Sequence, residues 1–226
     1  MTENRSVQQK SVRRRNRLAA VACFAAAVIT AGVVGTQSAT ADGAARTAAP
    51  GTAAAAPGLG STGLVQSEDF RRGPNPVGAT VALDGRQGLS ACSGEETMRG
   101  LTKDRATAYA SVTWTFDTEG ALNETAANAP TRAAADTWEK QLVALVQACQ
   151  DEPAGHWYYG AAHTLTAPGG TARWYLSYNG DGVVSGGAAV LRSGTRVGVV
   201  ELVDRSTGTP GRVEDLVGAA LKRLSS

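Results

Sequence analysis

HWYYGAAHTLTAPGGTARWYLSYNGDGVVSGGAAVLRSGTRVGVVELVD, running from His156 to Asp204, decides the fold class. It contains four β-like runs: His156–Thr166, Ala172–Tyr178, Val183–Arg192 and Arg196–Asp204. They are separated by Pro168-Gly169-Gly170, Asn179-Gly180-Asp181-Gly182 and Ser193-Gly194-Thr195. Short glycine-bearing separators between β-branched and aromatic runs make antiparallel hairpins. The segment therefore predicts a four-strand meander.

Upstream, Ala106 to Phe116 alternates. Ala106, Ala108, Ala110, Val112, Trp114 and Phe116 fall on one side, and Thr107, Tyr109, Ser111, Thr113 and Thr115 on the other. Period two of this kind predicts a strand with one buried face. Asp117 to Glu124 reads as a polar connection. From Thr131 to Gln150 the period changes. Trp138, Leu142, Leu145, Val146 and Cys149 form one apolar stripe of a 3.6-residue repeat, a long helix. After the meander, Thr209-Pro210-Gly211 opens a last helix with Pro at its first position. Its stripe is Val213, Leu216, Val217, Ala220, Leu221 and Leu224. Val65–Arg72 and Glu95–Leu101 read as short helical segments, and the rest of 77–105 shows no regular period. The order strand, helix, four strands, helix predicts an α+β domain. Its antiparallel sheet of about five strands carries two or three helices packed on one face, and the other face is left to water or a ligand.

The N-terminus sets the location. Residues 1–17 are a basic region with Arg13, Arg14, Arg15 and Arg17. An apolar run, Leu18 to Gly35, follows, interrupted only by Thr30, and Ala39-Thr40-Ala41 is a small-x-small site. Basic, apolar, small is the order of an export signal or a membrane anchor. The run would form about 27 Å of helix against a hydrocarbon core of about 30 Å. Residues 18–41 thus read as a transmembrane anchor or signal peptide. The expected topology is single-pass with the C-terminal domain outside, and the alternative is secretion after cleavage near Ala41. Residues 42–63, almost all Ala, Gly, Thr and Pro, read as a disordered linker, because they offer little apolar surface to offset ordering entropy. Residues 64–226 form the extracytoplasmic domain.

The formal net charge of +2 is a property of the targeting segment. Residues 1–41 hold six Lys/Arg and one acid, leaving 16 basic and 19 acidic residues in 42–226. A mildly acidic exported domain does not fit a nucleic-acid binder. Cys23 lies in the apolar run. Cys92 and Cys149 are the two domain cysteines, and an oxidising location suggests one disulfide between them, the other reading being two buried thiols. Such a disulfide closes a loop of about 58 residues, worth about 4 kcal/mol in the chain-entropy picture.

Catalytic grammar is thin. Gly58-Leu59-Gly60-Ser61-Thr62-Gly63 matches GxGxxG, but it follows a run of Ala and Pro rather than a strand. Ser177 to Gly182 imitates the start of a calcium loop, yet position 12 is Ala188. His156 and His163 have no companion ligand cluster, so no metal or other cofactor is expected. A hydrolase triad from a histidine, Asp204 and a serine can be assembled only on paper. The functional candidates are aromatic and polar: His156 and Tyr158 on one strand, Arg173, Tyr175 and Ser177 on the next. If both sets share an open face, they form a patch suited to carbohydrate, peptide or lipid headgroup contact. Alternatively these aromatics are cross-strand pairs that stabilise the sheet.

With Val112–Phe116 before a Cys-ending helix (Trp138 to Cys149), and Arg196-Val197-Gly198-Val199-Val200-Glu201 before the terminal helix, the chain resembles the extracellular sensor-like domain named after the PknH receptor kinase. The resemblance rests on element order and spacing over residues 64–226. It implies a ligand-sensing fold with a cleft and disulfides, and no catalysis. Two departures stand out: no kinase domain precedes the anchor, and only one disulfide is possible where that family uses two. The expected function is a membrane-tethered or secreted extracytoplasmic binding or sensor-like protein of actinobacterial type. Its partner would be a small molecule, glycan, lipid or envelope protein, with no nucleic acid. An exported hydrolase and a structural accessory protein of the envelope are the alternatives.

Overall fold

The computed structural model describes residues 59–70, 75–89, 94, 96–153, 155–203 and 210–226. The expected targeting segments 1–17 and 18–41, and Cys92, lie outside these residues. Among the described residues no helix is long and apolar enough to span a membrane.

Seven strands form one antiparallel sheet in the order β1-β2-β3-β7-β6-β5-β4. They are β1 Pro76–Ala82, β2 Ala108–Phe116, β3 Ala121–Asn128, β4 Tyr158–Ala167, β5 Gly170–Tyr178, β6 Val184–Ser193 and β7 Arg196–Val203. The helices are α1 Met98–Thr102, α2 Arg132–Gln147 and α3 Pro210–Leu224. The meander is present as β4 to β7. The chain leaves β3, crosses by α2 to the far edge at β4, and returns strand by strand until β7 pairs with β3 along Ala121↔Val203 to Asn128↔Arg196.

Two strands exceed the expected five. The first half of β3, residues 121–124, falls inside the stretch Asp117–Glu124 expected as a polar connection, where Asn123 and Glu124 break any apolar alternation. It becomes a strand because β2 and β7 supply hydrogen bonds on both sides. β1 is an edge strand whose Pro76 and Gly78 weaken any local signal, and it leaves Val77, Val81 and Leu83 exposed.

The expected placement of the helices on one face is corrected: they cover both faces. Gly186–Leu191 of β6 and Val197–Leu202 of β7 are buried without alternation. A strand that is apolar on both sides needs cover on both sides. One layer packs Trp138, Leu142, Val143 and Val146 of α2 on Ala188, Val190, Val197 and Val199. The opposite layer packs Val213, Leu216, Val217, Ala220, Leu221 and Leu224 of α3 on Ala189, Leu191, Val200 and Leu202. The α2 entry is capped by Thr131, whose side chain accepts from the Ala134 N–H at 3.1 Å.

Residues 59–70 form a strap on the α3 face. Its two 3-10 turns are Ser61–Gly63 and Ser67–Phe70. Leu59 to Gly63, read from sequence as the end of a linker, pack on the domain, with Leu59 and Gly63 buried. The Phe70 ring meets Trp114 and Phe116 edge-on at 5.3 and 5.2 Å. Trp114 Nε1–H donates to the Val65 carbonyl at 3.1 Å. Arg223 of α3 reaches Asp69 at 2.9 Å and Glu68 at 2.7 Å.

Candidate functional site

The aromatic runs meet on the β4–β5 hairpin, and a bulge decides which face each residue takes. Tyr158 pairs with Tyr178 and Tyr159 with Ser177, but Ala162 pairs with Tyr175, so the register shifts between Tyr159 and Ala162. An extra residue on one strand of this kind re-aims every side chain beyond it. Tyr158 therefore shares the α3 face with Tyr178, Trp174 and His163. Arg173, Tyr175 and Ser177 share the α2 face with Tyr159. The five predicted residues are not brought together. Tyr158 lies across the sheet from the other β5 members, and His156 precedes β4, exposed, with Nδ1 3.8 Å from a Glu152 carboxylate oxygen. On the α3 face the aromatics are cross-strand pairs. Tyr158 and Tyr178 stack at 5.1 Å, and His163 lies on Trp174 at 4.3 Å.

The α2 face of this edge is interior. Trp157 meets Tyr159 edge-on at 4.7 Å, and Tyr159 stands 6.3 Å from Tyr175. The Tyr159 hydroxyl donates to Glu201 Oε1 at 2.6 Å, joining β4 to β7 across two intervening strands. Tyr175 is fully buried, and its hydroxyl lies near the Arg173 side chain without making a hydrogen bond of normal geometry. Burial raises the Tyr175 pKa, and the charge of Arg173 opposes that shift. The two tyrosines predict opposite responses. Tyr159→Phe takes a donor from a buried carboxylate and should cost about 1–3 kcal/mol of unfolding free energy. Tyr175→Phe deletes a hydroxyl that makes no such bond and should be neutral or stabilising. Urea denaturation of the two variants, giving equal losses, would refute this division.

The more open geometry lies at the other end of the sheet. Between the first half of α2 and the ends of β5 and β6 runs a groove of about 430 Å3. Its walls are Arg132, Asp136, Glu139, Thr171 and Arg192, and its floor includes Gly170 and Gly194. Positions 132, 136 and 139 fall at i, i+4 and i+7, one face of α2. Arg192 reaches them from β6. Its Nη2 donates to Asp136 Oδ1 at 2.6 Å and to the Arg132 carbonyl at 3.2 Å. Its Nε stands 3.6 Å from Glu139 Oε2, beyond hydrogen-bond range. The Arg192 side chain is only 12% exposed, and its Nε and Nη1 have no hydrogen-bond partner. The turns bring backbone close here: a Cβ at Gly170 would stand 2.3 Å from the Arg192 carbonyl oxygen. Gly194 sits at φ 57°, a conformation that favours glycine.

This groove was not read from the sequence. Arg192 looks like the polar end of a strand, and the helix positions gain meaning only once β6 is placed beneath α2. A second depression, about 360 Å3, lies between α1 and α2 and is lined by Leu101, Ala144 and Leu145. Among the described residues no group of His, Cys, Asp and Glu could hold a metal ion. Cys149, just past α2, is disulfide-bonded.

No protein-family model matches the chain, and no curated protein matches it. The fold is similar to the crystal structure of the extracellular domain of PknH from Mycobacterium tuberculosis. The TM-score is 0.50 at 12% identity, over 73% of this chain and 93% of that one. The resemblance inferred from element order is therefore present in the three-dimensional fold.

Proposed function

We propose that the chain is a membrane-tethered extracytoplasmic binding module of the sensor-like type, acting by ligand binding rather than catalysis. The Arg192 groove is the observation that carries this reading. Through Nη2 a guanidinium only 12% exposed is held by Asp136 and the Arg132 carbonyl, its Nε and Nη1 are buried behind that contact, and the exposed Arg132 and Asp136 side chains border an open groove. Groove volume and convergent polar groups are what small-ligand sites share. The export-type N-terminus and the likeness in fold to an extracellular domain support the location. Both histidines are engaged away from any triad, one beside Glu152 and one on Trp174. In this reading Cys92 is the partner of Cys149 and ties the 90s segment to the end of α2.

The test is a thermal-shift screen of the chain against glycans, lipid headgroups and cell-wall fragments. At least one ligand should stabilise the protein, and the effect should vanish in Thr171→Trp, where an indole on an exposed strand position fills the groove. A panel without shifts, or shifts that survive the indole, would count against the reading.

A further inference from the structure

We infer that the groove takes a neutral, polyhydroxylated ligand, a sugar unit of a glycan, rather than an ion. The inference rests on the groove being the binding site. It follows from how the charges on the walls are disposed.

Four side chains are charged, Arg132 and Arg192 against Asp136 and Glu139, and their signs cancel. The cancellation is local as well as formal, since Arg192 lies 2.6 Å from Asp136 and 3.6 Å from Glu139. An anion entering here would gain Arg132 and Arg192 but meet two carboxylates already turned to Arg192. A cation would have to displace the guanidinium from Asp136. Either pays desolvation against a field that is already compensated.

A hydroxyl is suited to the same arrangement because it donates and accepts at once. Nε of Arg192 and Oε2 of Glu139 are 3.6 Å apart, too far to bond each other. Nε is buried, so a ligand hydroxyl donates to the Glu139 carboxylate, 33% exposed, and accepts from the exposed Arg132 guanidinium. Asp136, with 60% of its side chain exposed, offers further carboxylate acceptor capacity to a neighbouring hydroxyl. Thr171, the cross-strand partner of Arg192, adds a group of both kinds beside it. Gly194 carries no side chain and a Cβ there would meet only open space, so a flat ring can approach the backbone.

The experiment is calorimetric titration of the full chain in lipid nanodiscs at low and at high salt. The neutral probes are chitotetraose, cellotetraose and maltotetraose. The anionic probes are inorganic phosphate and tetragalacturonate, and spermidine is the cation. At least one neutral tetrasaccharide should bind with an affinity that salt leaves unchanged. Asp136→Asn and Thr171→Trp, each checked for native circular dichroism, should weaken it by roughly tenfold or more. Salt-dependent binding of phosphate, tetragalacturonate or spermidine that Thr171→Trp abolishes would overturn the neutral-ligand inference and leave the groove as the site. If no probe distinguishes the wild type from Thr171→Trp, the site itself is refuted and the inference falls with it.

Discussion

Glu124→Gln is expected to remove a pH dependence that the wild-type domain carries between about pH 4.5 and pH 8. Glu124 sits on β3 facing the α3 layer, with none of its surface exposed. One carboxylate oxygen accepts the Val65 N–H at 2.6 Å, and the other has no partner. Burial pushes its pKa from 4.5 up to about 8. The Val65 N–H opposes that shift, Asp69 adds to it and Arg223 partly offsets it. Of these neighbours, Val65 and Asp69 lie on the strap, and Asp69 is bound by Arg223 of α3.

Below the unfolded value of 4.5 both states hold the proton, and Glu124 adds no pH dependence. As pH rises from there the unfolded chain releases its proton while the folded chain keeps it, so stability falls. Above about 8 both states are ionised, the folded one with a buried charge, and the loss is complete. At about 1.4 kcal/mol per pH unit that loss reaches a few kcal/mol. Glutamine is neutral throughout. Its unfolding free energy should match the wild type near pH 4.5 and exceed it progressively toward pH 8. Urea midpoints measured across that range decide the matter, and parallel curves would refute it. Because the partner is Val65, amide exchange in 59–70 should quicken with pH in the wild type beyond the intrinsic chemical rate, and not in the variant.

Glu124 also shows where sequence reading stops. In the linear chain it is one acid in a run that looks like a polar turn. Only the seven-strand pairing makes it central and dry. The same limit governs the β4–β5 hairpin. The aromatics of 156–159 and 173–178 were recognisable as the residues that would shape that edge, but which share a face depended on one bulge after Tyr159 that no local signal marks. The four-strand meander, α2 and α3 were legible because apolar period and glycine turns are local properties. Helix placement on both faces was legible in principle: β6 and β7 have no polar face, and unbroken apolar runs call for two covers. The Arg192 groove had no such trace. It depends on Arg132 and Asp136, which precede Arg192 by 60 and 56 residues, being brought to its guanidinium by tertiary packing.

Trp138→Ala should be the most damaging single truncation in the α2 layer. Trp138 is 2% exposed and packs from the middle of α2 onto the sheet with Leu142 and Val146. A helix of this length is marginal in isolation, so its stability comes from the face it buries. Removing the indole withdraws the largest side chain of that face and leaves a cavity that α2, tied at both ends, cannot close. One tie is the Thr131 cap and the Arg192–Asp136 pair at its start. The other is at its end, where the Cys149 carbonyl accepts the Tyr159 N–H of β4 at 3.1 Å. The expected cost is about 3–5 kcal/mol, a large share of a total of about 5–15. For a domain of this size it should lower Tm by roughly 10 °C. Trp138→Phe should cost clearly less, since it leaves less empty volume. A loss below about 1 kcal/mol for the alanine variant would mean that α2 is held chiefly by its polar ties. The same variant links core to site. Arg132, Asp136 and Glu139 ride on the helix that Trp138 anchors, so any ligand response that Thr171→Trp abolishes should also weaken in Trp138→Ala at temperatures where that variant is still folded.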